Sequence, residues 1–138
     1  MNKHHDLVSR YFHACSHLSA AEIAAYFCSD AVVYDTNHRP VTGAETIGAF
    51  YVKVRDQWDG ASWHVDTFID GVSVAASEWT MLVRTDGSKK AVRGSEHYRF
   101  RDGLIEQIRQ YWTYNPDDIA TALKDYPYEE DARFTSEK

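Results

Sequence analysis

The stretch that decides the fold is Ser95-Glu-His-Tyr-Arg-Phe-Arg-Asp-Gly-Leu-Ile-Glu-Gln-Ile-Arg-Gln-Tyr-Trp112. Up to Arg101 its side chains alternate: Glu96, Tyr98 and Phe100 fall on one face, His97, Arg99 and Arg101 on the other. A period of two marks a strand with one buried face. Asp102-Gly103 supplies a tight-turn pair, after which the chain returns as another strand. The same punctuation recurs upstream at Asp70-Gly71 and Asp86-Gly87. Segments 62–70, 73–85, 90–101 and 104–114 therefore read as an antiparallel meander.

Before Gly60 the period is helical. Leu7, Tyr11, Ala14, Cys15 and Leu18 recur at helical spacing, with Arg10, His13 and His17 opposite. Ser19-Ala-Ala-Glu22 reads as a capping box opening a second helix with Ile23, Tyr26 and Phe27 on its apolar face. A short strand over 31–35 and a turn over 36–40 follow. Thr42-Gly-Ala-Glu45 reads as another capping box, before a helix striped by Ile47, Phe50, Tyr51, Val54 and Trp58. Asn115-Pro116-Asp117-Asp118 predicts a last short helix, and from about Glu129 the tail is polar. The class expected is α+β, a curved antiparallel sheet with three N-terminal helices packed on its concave face, as one domain over 1–138.

Composition narrows the functions. A chain of 138 residues and 15.8 kDa has room for one core. With 15 Lys+Arg against 21 Asp+Glu the net charge is −6, so no nucleic-acid partner is expected. No run approaches the roughly 18 apolar residues of a membrane span, so no membrane association is expected and a cytoplasmic setting is the default. Cys15 and Cys28 read as buried free thiols in helical stretches. Aromatics at 14% suit a walled apolar cavity, a bulky core or a dimer face.

Three polar residues share apolar faces. Glu96 stands beside Tyr98 and Phe100, where an unpaired ionised carboxylate is costly, so it is either ion-paired or protonated. Asp35 ends the face of Ala31 and Val33, either as a turn acceptor or as a general base. Tyr11 lies in the stripe of the first helix, either as a core tyrosine or as a phenol aimed at a ligand. His4, His5 and Asp6 are expected at the surface. His13 and His17 are spaced i, i+4 like a metal pair, but lie opposite the apolar stripe without a third ligand. No metal and no cofactor are expected.

The sequence resembles the ketosteroid isomerase branch of the NTF2-like (SnoaL-like) superfamily over about residues 5–114. The resemblance rests on Arg10-Tyr11 in the first helix, on Phe27-Cys-Ser-Asp-Ala-Val-Val-Tyr-Asp35, and on Glu96-His-Tyr-Arg-Phe100. It implies a cone-shaped fold, Asp35 as the proton-abstracting base, and Tyr11 with a protonated Glu96 as donors to the developing oxyanion. It also implies Trp79, Met81, Tyr98, Trp112 and His64 as substrate-binding residues around a small apolar, even polycyclic, molecule, and a homodimer formed through the outer sheet face near Arg109 and Tyr111. Departures are Thr36, where the family has Pro, and Glu96, where it has Asp. Sibling chemistries are a Tyr/Asp/His dehydratase using His64, a polyketide cyclase, and a non-catalytic ligand-binding or assembly module. The limonene epoxide hydrolase pattern fails, because Glu78, Thr80 and Gln110 stand where that chemistry needs Arg, Asp and Asp.

Overall fold

The computed structural model describes residues 3–85, 87–113 and 123. In chain order the elements are α1 (Lys3–His17), α2 (Ala20–Ala24), β1 (Phe27–Asp35), β2 (Val41–Thr42), α3 (Ala44–Asp56), β3 (Gly60–Asp70), β4 (Val74–Thr85), β5 (Ser88–Arg101) and β6 (Leu104–Thr113). The strands form one curved, unclosed six-stranded sheet in the order β2-β1-β6-β5-β4-β3. The meander is as expected, and Asp102 and Gly103 both take positive φ in the two-residue turn between β5 and β6. The last-helix expectation at 115–118 and the polar tail lie outside the described residues. Among the described residues no helix is long and apolar enough to cross a membrane.

Curvature comes from length and from bulges. Strands β4 and β5 run 12 and 14 residues. The register slips between Val65 and Thr67 on β3 and between Arg99 and Phe100 on β5, and such bulges bend a strand. The inner face then receives the helices. Val8, Tyr11, Phe12 and Cys15 of α1 and Ile47 and Tyr51 of α3 join Val83, Val92, Tyr98, Ile105 and Ile108 in one buried cluster. Each fully buried aliphatic or aromatic side chain contributes roughly 1.5–3 kcal/mol, so the amphipathic stripe of α1 suffices to hold it there. His13 and His17 face solvent, as expected.

Several local expectations need correction. The Ser19 capping box forms in full, with Ser19 Oγ accepting from the Glu22 amide at 3.2 Å and Glu22 Oε1 from the Ser19 amide at 3.1 Å. The helix it starts is only one turn, however. Phe27 and Cys28 belong to β1, because Phe27 pairs with Ile105 of β6; Cys28 is a buried free thiol in a strand, not a helix. The second box does not form. Thr42 is held in β2 opposite Val32, and the N-cap of α3 is Gly43 at φ 94°, with no side-chain cap; that φ suits a residue without Cβ. His4 is buried, not exposed: its Nδ1 lies 2.6 Å from Asp70 Oδ1 and its ring stacks on Phe100 at 4.1 Å.

Candidate active site

One row across the sheet carries the polar groups. Parallel pairing sets Asp35, at the end of β1, opposite Gln110 on β6. Gln110 in turn stands opposite Glu96 on β5, and Glu96 opposite Ser77 on β4. The crossover through α3 is what lets β1 lie beside β6 and bring residue 35 to residue 110.

Asp35 is held as an acceptor. Its Oδ2 receives Trp112 Nε1 at 2.9 Å and also Gln110 Nε2; its Oδ1 receives the Asn37 amide at 2.7 Å. An ionised carboxylate offers about four lone-pair positions, so one remains for a ligand proton. Gln110 is fixed from its other side, where its Oε1 accepts the Tyr51 hydroxyl at 3.1 Å. Its amide nitrogen is thereby turned to the carboxylate and its oxygen to the phenol.

Glu96 is the opposite case. It is 2% exposed, and burial lifts its carboxyl to about 8, with the Asp35 charge adding to the rise and a hydrogen bond from Tyr98 working against it. At neutral pH it carries its proton. Its Oε1 is buried without a hydrogen-bond partner. The Tyr11 phenol is also raised, first by burial and next by Glu96. Tyr11 meets Phe27 and Tyr51 edge-on at 5.3 and 5.7 Å. Burial likewise raises Tyr51 and Tyr98, so the three phenols remain proton donors at neutral pH.

A cavity of about 310 Å³ opens beside this row, at the small end of the range for ligand pockets. All four tryptophans of the chain wall it: Trp58, Trp63, Trp79 and Trp112. Of the residues expected from the sequence, Asp35, Trp79, Met81 and Trp112 line the cavity. Tyr11, Glu96 and Tyr98 belong to the packed core next to it. Tyr98 is engaged with Ser77 Oγ, 2.7 Å away. His64 does not reach the cavity. Strand alternation gives the inner face to Trp63, while His64 pairs in register with Thr80 and sits 2.9 Å from Ser62 Oγ. The sequence reading missed Tyr51 and Gln110 as members of the site. Gln110 shares a face with Ile108 and Trp112 as Glu96 does with Tyr98 and Phe100, so the signal was a polar residue on an inward face.

Space at the cavity wall depends on Gly94. A Cβ there would lie 2.7 Å from the Tyr111 carbonyl and 2.8 Å from Trp112 Cβ, and would collide with the Trp79 ring. A curved open sheet closed by helices over an aromatic cavity, with two carboxyls on one row, defines a small-molecule-binding α+β scaffold. The SnoaL-like domain family matches residues 8–108, and the chain belongs to that family.

That match bears out the resemblance to the SnoaL-like superfamily, and solved structures agree on the fold. A protein of unknown function with a cystatin-like fold from Methylobium petroleophilum PM1 is 24% identical, with 93% of this chain and 88% of that one covered at a TM-score of 0.71. A hypothetical protein with a ketosteroid isomerase-like fold from Catenulispora acidiphila, in complex with trimethylamine, is 14% identical, with 83% and 88% covered at 0.72. TerC co-crystallised with polyporic acid is 12% identical, with 81% and 92% covered at 0.70. No curated protein sequence matches the chain.

Proposed function

We propose that the protein is a cofactor-independent small-molecule enzyme of ketosteroid isomerase-like type, which removes a proton from carbon next to a carbonyl and stabilises the enolate formed. Asp35 takes the proton. Glu96, protonated, and Tyr11 donate hydrogen bonds toward the oxygen as charge develops on it. The observation that carries this reading is the contrast between two carboxyls on one sheet row: Asp35 accepts three N–H donors, while Glu96 is buried and raised to about 8. Environments that differ in this way support Asp35 as the base and Glu96 as the acid.

The proton returned to a different carbon gives isomerisation, and attack of the enolate on a second carbon gives the ring closure of a polyketide cyclase. A Tyr/Asp/His dehydratase loses its imidazole, because His64 bonds Ser62 away from the cavity. A binding-only module is the second reading. It is favoured by the Asp35 carboxylate being largely engaged already, and by the two neighbours with small ligands, trimethylamine and polyporic acid. The reading further includes a cytoplasmic, homodimeric protein.

Exchange of α-protons separates enzyme from binder without knowledge of the natural substrate. Wild-type protein incubated in D₂O with 2-tetralone, an apolar bicyclic ketone, accelerates deuterium incorporation followed by proton NMR. Asp35→Asn keeps the fold and loses about 10²-fold or more of that rate, as removal of a positioned base does. Exchange by Asp35→Asn at the wild-type rate removes the base assignment.

A further inference from the structure

Two side-chain polar atoms among the described residues are buried without a hydrogen-bond partner, Trp79 Nε1 and Glu96 Oε1. An unpaired buried donor or acceptor costs about 1–3 kcal/mol, and native structures satisfy nearly all of them. Their residues stand on adjoining rungs of one face of the sheet. On the β4–β5 ladder Ser77 pairs with Glu96, and the next inward rung pairs Trp79 with Gly94. Trp79 is 4% exposed and lines the cavity.

The orientation of the indole follows from Gly94. The Trp79 ring reaches across to β5 so closely that a Cβ on Gly94 would collide with its Cζ2. Indole Nε1 and Cζ2 are bonded to the same ring carbon. The N–H therefore belongs to the part of the ring that adjoins β5, the strand that carries Glu96 two residues further on. Gly94, opposite Trp79, puts no side chain on that face of β5.

We infer that Trp79 Nε1–H and the Glu96 carboxyl form a two-donor cradle for a single oxygen of the ligand, so that Trp79 is an oxygen-recognising binding residue as well as a wall. This rests on the reading of the cavity as a site that stabilises an oxygen. The ligand class it selects is an apolar ring system bearing one acceptor oxygen, as a carbonyl, a phenol or the enolate of either. Bound there, the oxygen meets both orphaned groups at once, while the surrounding tryptophans cover the ring.

The probes are 2-naphthol and naphthalene, which differ only in the oxygen. Wild-type protein binds 2-naphthol more tightly. Trp79→Phe keeps an aromatic ring and removes the N–H, and lowers the ratio of 2-naphthol to naphthalene affinity about tenfold, the effect of one buried hydrogen bond. In wild-type protein the Trp79 indole N–H resonance moves downfield with 2-naphthol and not with naphthalene, a measurement independent of how well the variant folds. An unchanged affinity ratio overturns the inference. So does a Trp79 resonance unmoved by 2-naphthol, the result expected if a buried water or nothing pairs with the indole. Exchange of α-protons without these effects removes the cradle alone. The effects without exchange remove the enzyme reading and leave an oxygen-binding site.

Discussion

Replacing Glu96 by Gln tests the central electrostatic claim through stability alone. Glutamine has nearly the same shape and does not titrate. Glu96 moves from an ordinary value of 4.5 to about 8 on folding, chiefly by burial. Below pH 4.5 the residue is protonated in both folded and unfolded chains and adds no pH dependence. Between 4.5 and 8 the unfolded chain ionises it and the folded chain does not, so unfolding releases a proton and stability falls as pH rises. Above about 8 the folded residue ionises as well and the loss levels off. At about 1.4 kcal/mol per pH unit the whole window is worth roughly 5 kcal/mol, a large share of the 5–15 kcal/mol typical of a domain.

Urea denaturation of wild type and Glu96→Gln at pH 5, 6, 7 and 8 reads this directly. Other titrating groups affect both proteins and cancel in the difference. The wild type loses about 4 kcal/mol relative to the variant from pH 5 to 8. In an Asp35→Asn background the upper end of the window moves to lower pH, because the Asp35 charge contributes to the rise. A difference that stays flat across this range means that Glu96 is ionised in the folded protein, and its role as oxyanion donor falls with it. In the exchange assay Glu96→Gln keeps part of the rate, since an amide still donates, and Glu96→Ala keeps less.

Gly94→Ala places a methyl 2.7 Å from the Tyr111 carbonyl and against the Trp79 ring; thermal melts show a loss of about 1–3 kcal/mol, and affinity for aromatic ligands falls with it. The outer sheet face presents Tyr111, 54% exposed, with Arg109 beside it; sedimentation velocity at micromolar concentration finds a dimer, and a sole 15.8 kDa species rejects it. Ser19→Ala removes the capping box of α2 and costs about 1 kcal/mol in urea denaturation, with the exchange rate unchanged.

The elements legible in the sequence were those whose pattern is set by burial on one face. The alternation through Glu96, Tyr98 and Phe100 and the stripe through Tyr11 and Cys15 report directly on which side faces the core, so the meander and α1 were readable. What was not readable depends on partners far along the chain. Phe27 and Cys28 continue a helical pattern locally and become a strand because Ile105 offers them a ladder. His4 looks like a polar N-terminal residue and is buried because Asp70 and Phe100 meet it. His64 lost its place by parity, since the strand that brings Trp63 inward must turn its neighbour out. Gln110 was legible as a polar residue on an inward face, but its bond to Asp35 needed the parallel pairing of β1 with β6, a contact across 75 residues that no local pattern announces.

Gln110 also explains how the two carboxyls of the row are kept apart. It stands between them on the row, opposite Asp35 on one side and Glu96 on the other. Its two ends are polarised in opposite senses: the nitrogen donates to Asp35 and the oxygen accepts from Tyr51. A second carboxylate at this position would add negative charge beside Asp35, and an aliphatic residue would leave the Tyr51 hydroxyl without its acceptor. The amide does neither. It supplies Asp35 with a donor, so that the carboxylate is anchored from the protein side, and it adds no charge that would work on the buried Glu96. Through Gln110 the Asp35 carboxylate is joined to the Tyr51 hydroxyl.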